Sequence, residues 1–333
     1  MKSKVSKKLS NIGISVMLPA VVFLVFVLLT GGDFANGQLI LTVAKQTIIP
    51  MMIAMAMSMP MKMNMLDFSG GSIVYIGAIF GGNIAIMTGT GVVGMLIASI
   101  IIVVLFSAFS GALYNLLRVP SMVFSIGVTL IYEIVPRLVF KNGAAEIPMS
   151  WGALSQQPLC FIIFIVMFVL FYVVYNHMTL GHNVQAIGAN QAIAFNAGVN
   201  ITRTKFLVFV LGGLFLGVAG ALYMASGIRV YAASSMSSIS VIFDAMMGVF
   251  LANVLSRYSG FSMGLLIGTF TMRLLGTGLI SFGLSSTVRA ICSGLFLLVI
   301  MCYSTNQGRL GAFRARRKIA MEANLAANLP AAK

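Results

Sequence analysis

The sequence predicts an all-α polytopic membrane protein of about ten transmembrane helices with both termini cytoplasmic, and three observations lead there. Apolar residues make up 59% of the 333-residue chain and charged residues only 8%, against about a quarter charged in soluble domains. The apolar residues gather in runs of about twenty, the length a helix needs to cross a bilayer core. The net charge of +15 sits mostly at the ends of those runs, a placement that reads as membrane topology and not as nucleic-acid binding.

In chain order, residues 1–11 form a basic N-terminus with Lys2, Lys4, Lys7 and Lys8. The first apolar run, 12–30, begins as a secretory signal would, but no small-residue cleavage site follows, so a retained helix is expected. Further spans are expected over 46–62, 70–87, 91–113, 121–140, 158–175, 206–225, 239–256, 260–276 and 286–303. Together they make one transmembrane domain, 12–303. The tail, 304–333, carries Arg309, Arg314, Arg316, Arg317 and Lys318 and suits an anionic inner leaflet.

An even number of spans puts both termini on one side. Placing them in the cytoplasm collects fifteen of the 21 Lys and Arg residues there, as the positive-inside rule asks. Lys45, Arg137, Lys141, Arg229, Arg273 and Arg289 then lie outside or in outer helix halves. On this map the polar stretch 176–205 is cytoplasmic, and the loop 141–157, with Glu146 and the single tryptophan Trp151, is outside.

Several motifs fit membrane packing better than chemistry. Gly89, Gly91 and Gly94 match a dinucleotide fingerprint, but they sit in a tight turn between two apolar runs, where no strand precedes them. The chain has no nucleotide-binding P-loop, so any ATP hydrolysis belongs to another subunit. Met55, Met57, Met59, Met61, Met63 and Met65 recur at every second residue, which spreads them around a helix axis near Pro60 and favours flexible packing over a copper site. His177 and His182 have no carboxylate between them, and Cys160, Cys292 and Cys302 form no framework; no cofactor or metal is expected. The pairs Gly77 and Gly81, Gly213 and Gly217, and Gly264 and Gly268 each allow two helices to approach closely.

Asp67, Glu133 and Asp244 stand in or beside apolar spans, where an ionised group costs a few kcal/mol and is a functional candidate by default. Asp67 precedes Ser69 and Ser72 at a loop-to-helix junction, where a carboxylate can cap backbone N–H groups. For Glu133 and Asp244 a structural partner and a role in transport are both open. An ion-coupled secondary carrier would use such carboxylates.

Three stretches together resemble one family, the membrane-spanning permease subunits of bacterial ABC importers of the ribose and autoinducer-2 type, over roughly residues 45–305. Gly181, Ala186, Gly188, Asn190, Ala192 and Gly198 stand in a pattern like G-x4-A-x-G-x-N-x-A-x5-G, with Arg203 and Lys205 before a glycine-rich helix. Asp67-Phe68-Ser69-Gly70-Gly71-Ser72 is similar to the family's Asp-Leu-Ser-x-Gly-Ser. Phe243-Asp244-Ala245 is similar to its Leu-Asp-Ala.

The resemblance implies a non-catalytic permease of the bacterial inner membrane that imports a sugar or similar small polar solute. It also implies an ATPase partner docked on the loop 176–205, a second permease subunit, identical or not, and an extracytoplasmic solute-binding protein. The chain departs from the pattern where Met63, Asn64 and Met65 replace glycines, and where Ala252-Asn253-Val254 replaces Gly-Gly-Thr. Asn253 joins Asp67, Ser69, Ser72, Glu133 and Asp244 as a candidate pathway or structural residue, and a ribose specificity does not transfer.

Overall fold

The computed structural model describes residues 2–32, 34–140, 143–285 and 287–302, the side chains of residues 2–12 and 14 aside. The tail 304–333 lies outside the described residues. The helices are α1 (Lys2–Leu29), α2 (Gly37–Lys62), α3 (Ser69–Thr88), α4 (Gly91–Leu117), α5 (Ser121–Val139), α6 (Leu159–His177), α7 (Thr179–Ala189), α8 (Gln191–Asn196), α9 (Ile201–Gly227), α10 (Ile239–Ser259) and α11 (Phe261–Ser281). A further helix, α12, spans Thr287–Cys302. Eight of these are long and apolar enough to cross a membrane, while Ser15–Leu29 of α1 and α12 are shorter apolar helices. The ten expected apolar segments are therefore all helical, and the chain is a multi-pass membrane protein.

Boundaries move where polar residues lie inside a span. Helix α2 begins at Gly37 and not at 46, because Lys45 and Gln46 face a cavity inside the bundle and need not end the helix. Helix α9 begins at Ile201, where the Asn200 side chain accepts the N–H of Arg203 at 2.9 Å, so Arg203 and Lys205 belong to its first turns. The stretch 176–205, expected as a loop carrying a short helix, is mostly helical as α7 and α8.

A two-stranded antiparallel sheet was not anticipated. It pairs β1 (Ala144–Glu146) with β2 (Arg229–Tyr231), and the strands are too short for periodicity to betray them. The Arg229–Glu146 ion pair across it, at 3.3 Å, is exposed and contributes little.

Helix α2 runs through the middle. Every residue from Met51 to Pro60 is buried, and α2 touches α6, α7, α9, α10 and α11. A helix apolar on all sides belongs at a core, and the alternating methionines fill the irregular gaps between its neighbours. Helix α4 is the opposite case. Val93, Ile97, Ile101, Leu105 and Phe109 form an exposed stripe along one face at the four-residue spacing of a helix side, which is a lipid-facing surface. Its other face, Met95, Ser99, Val103, Ser107 and Ser110, is buried.

Small residues set the helix spacing. A Cβ on Gly217 of α9 would lie 2.6 Å from the Cα of Ile100 on α4. One on Gly268 of α11 would lie 2.7 Å from the Gly248 carbonyl of α10. The Ser99 hydroxyl donates to the Gly77 carbonyl at 2.8 Å, tying α4 to α3. Close backbone contact of this kind is what drives helix association where lipid removes the hydrophobic incentive.

Gly217→Ala is therefore expected to destabilise the bundle by about 1–3 kcal/mol, the range for overpacking. Gly127→Ala, at an exposed α5 position with nothing within 4 Å of the added Cβ, is expected to leave stability unchanged. Thermal unfolding of the two variants in detergent checks the difference.

Candidate functional site

One end of the bundle is built from the glycine-asparagine pattern. The polypeptide leaves α6 and turns at once into α7, where Gly181 packs against the Tyr175 carbonyl and Gly188 against the Lys62 carbonyl at the end of α2. Any side chain at these two positions would meet backbone, so the glycines hold α7 flush against the ends of α6 and α2. Asn64, in the left-handed conformation with φ 59°, donates from its amide to the Gly188 carbonyl at 3.4 Å.

Asn190 then caps α8, accepting the N–H groups of Ala192 and Ile193 at 3.0 and 3.1 Å. Gly198, at φ +85°, makes the turn toward α9. Ala186 and Ala192 are exposed, as is Arg203. On α8, Ala194 faces inward while Ile193 and Phe195 are each 67% exposed. The pattern thus presents a six-residue helix with two bare apolar side chains, on a rigid seat.

Two of the three candidate carboxylates hold backbone. Asp67 accepts the Ser69 N–H at 2.9 Å and the Ser69 hydroxyl at 2.6 Å at the first residue of α3. Burial pushes its carboxyl up from the usual range, and these two hydrogen bonds pull it back. Ser72 is also buried, its hydroxyl bonded to the Ser69 carbonyl.

Glu133 of α5 reaches across to the segment before α10. One oxygen accepts the Met236 N–H at 2.9 Å, and the other accepts the N–H and hydroxyl of Ser238 at 3.0 and 2.6 Å. Ser235 and Met236 have positive φ, 54° and 63°, a conformation that non-glycine residues adopt at a cost. The Glu133 carboxylate offsets that cost and supplies negative charge at the α10 N-terminus.

Asp244 is placed differently. It lines a cavity of about 1100 Å³ in the half of the bundle that carries the β1–β2 sheet, among α2, α9, α10, α11 and α12. The walls are apolar at Ile49, Pro50, Met247 and Phe250, and they carry Lys45, Gln46, Asp244, Arg273 and Arg289. Asp244 and Arg273 approach to 3.9 Å, and Arg273 donates to Gln46 at 3.1 Å. Asn253 stands on an exposed part of α10 and is not among the lining residues.

Sequence reasoning singled out Asp244 but counted Lys45, Arg273 and Arg289 toward topology. The signal that would have found them is their position within apolar spans, where a charge marks a cavity or pathway.

The chain matches the model of the family described as branched-chain amino acid transport system / permease component over residues 39–303. It is 28% identical to a probable ABC transporter permease protein of Escherichia coli K12, over 48% of this chain and 50% of that one. It is 30% identical to the ribose import permease protein of Bacillus subtilis, over 43% and 44%. With the autoinducer 2 import system permease protein of an Enterobacter strain it shares 27% identity over 81% and 77%. The chain thus matches half or less of the length of the first two and more than three quarters of the third. No solved structure gives a significant match.

Glu133→Ala is expected to cost about 1–3 kcal/mol for each buried donor it orphans, read as a lower unfolding temperature and faster proteolysis within 234–238. Glu133→Gln, which keeps one acceptor oxygen, is expected to fall between the variant and the parent.

Proposed function

The chain belongs to the family of branched-chain amino acid transport system permease components, and on that premise we propose that it is the transmembrane subunit of an ATP-driven importer of the bacterial inner membrane. The solute is a sugar or similar small polar molecule, in keeping with the names of the ribose and autoinducer 2 permeases it resembles. ATP is hydrolysed by a separate subunit. A second permease, the same chain or a related one, completes the pathway, and an extracytoplasmic binding protein delivers the solute.

The observation that carries this reading is the exposed pair Ile193 and Phe195 on α8. Bare apolar side chains on a short helix beyond the membrane spans suit a protein partner, and the α7 glycines pass any force on them to α2 and α6 without slack. This end, with 176–205 and both termini, faces the cytoplasm, where most of the Lys and Arg then lie. The cavity opens at the other end, toward the binding protein.

The rival reading is an ion-coupled carrier. Against it, Glu133 spends both oxygens, and Asp67 one of its two, on the protein's own N–H and hydroxyl groups.

Phe195→Asp is expected to leave the permease folded and to reduce the ATPase recovered with it by about tenfold or more, the loss usual for a central interface aromatic. Undiminished recovery would remove α8 from the docking site. Solute uptake that persists without any ATPase and collapses with an ionophore would replace the importer by a carrier.

A further inference from the structure

The cavity has a charge imbalance that a neutral sugar does not explain. Among the described residues its wall carries three cations, Lys45, Arg273 and Arg289, and one carboxylate, Asp244, an excess of two positive charges. The carboxylate is poorly committed, at 3.9 Å from Arg273 with its side chain 46% exposed. The Nε of Arg273 is buried and has no hydrogen-bond partner. Among the described residues no acceptor engages the side chains of Lys45 or Arg289. Charges held in the membrane at this density cost free energy unless something answers them.

The arrangement is also focused. Arg273 and Arg289 line the same recess, with Asp244 and the buried Ser293. The stem of Arg289 lies near Gly276, whose added Cβ would come within 3.8 Å of the Arg289 Cδ. Gly276 stands about one turn along α11 from Arg273, so the two guanidinium groups share one patch. Paired guanidinium forks match the oxygens of phosphate and carboxylate. A cleft with low-dielectric walls strengthens the attraction for anions.

We propose that this cavity receives the phosphate of a small phosphorylated polar solute, with Arg273, Arg289 and Lys45 as its counter-charges. A phosphate monoester carries about −1.5 to −2 charges near neutral pH, which matches the excess of two, whereas a carboxylate leaves one cation unanswered. Asp244 keeps Arg273 partnered when the cavity is empty and gives way to the phosphate. The proposal rests on the importer reading for the route of the solute, but the charge match is a property of the cavity itself.

The test uses the full chain in nanodiscs of zwitterionic lipid, with ribose 5-phosphate, gluconate and ribose as probes in calorimetric titration. Ribose 5-phosphate is expected to bind at least about tenfold more tightly than ribose, with gluconate between, and high salt is expected to erode the preference. Arg289→Gln and Lys45→Gln are each expected to reduce it several-fold while the unfolding temperature of the unliganded protein stays within a few degrees of the parent. Equal or tighter binding of ribose, no binding of any probe, or a preference untouched by both variants would overturn the assignment.

Discs containing phosphatidylglycerol form the second arm. If that lipid is retained on the parent but not on Arg289→Gln, and blocks ribose 5-phosphate, the occupant is a lipid headgroup and the solute assignment falls. ATP-driven uptake is read separately. Uptake of ribose with no preference for its phosphate defeats the charge assignment alone, and loss of ATP coupling with anion binding intact defeats the importer reading alone.

Discussion

The bundle depends on backbone touching backbone. In a bilayer the lipid tails are as apolar as leucine, so burying side chains between helices gains little over leaving them in lipid. What remains is dispersion and hydrogen bonding at short range, and both require small residues at the crossings. Gly217 against Ile100, Gly220 against Val74 and Gly248 against Gly268 supply them. Serines do the rest: Ser99 reaches the Gly77 carbonyl, and Ser110 meets the Tyr132 hydroxyl at 2.7 Å. The alternation of a bulky lipid-facing stripe and a small inward stripe on α4 follows from the same requirement.

Much of the fold is legible in the sequence because span length is a bilayer constant. The ten apolar segments, the turn at Gly89 and the close helix pairs need only composition and spacing. The boundaries are harder. A lysine at position 45 reads as the end of a span when the helix is imagined in lipid, yet it is tolerated less than two turns before the buried run that begins at Met51 because the wall beside it is a cavity. The β1–β2 sheet joins segments 83 residues apart at its closest register pair, Glu146 opposite Arg229, and a local pattern carries no trace of such a pairing.

The polar residues divide in the same way. Part of the seat of α7 and α8 is readable because Gly181, Asn190 and Gly198 act on their own neighbours, whereas the approach of Gly188 to Lys62 joins positions far apart in the chain. Whether a carboxylate is structural or free depends on what another helix brings to it. Glu133 looks no different from Asp244 along the chain, yet one is saturated by the segment before α10 and the other stands in an open wall beside Arg273. The arginines of that wall escaped notice because a count of positive charges explains them equally well.

Helix α2 joins the two regions that matter most. Its last residue, Lys62, bears on Gly188, and Lys45, Gln46 and Ile49 of its first half form part of the cavity wall. At 1.5 Å per residue its 26 residues make a rod about 39 Å long. A tilt of about 5° displaces one tip relative to the other by roughly 3 Å, about the length of a hydrogen bond. The fully buried run from Met51 to Pro60 lies between the cavity-wall residues Lys45 to Pro50 and the Lys62 end, so one continuous helix, packed on every side along the turns between, spans the distance from the seat of α7 to the cavity.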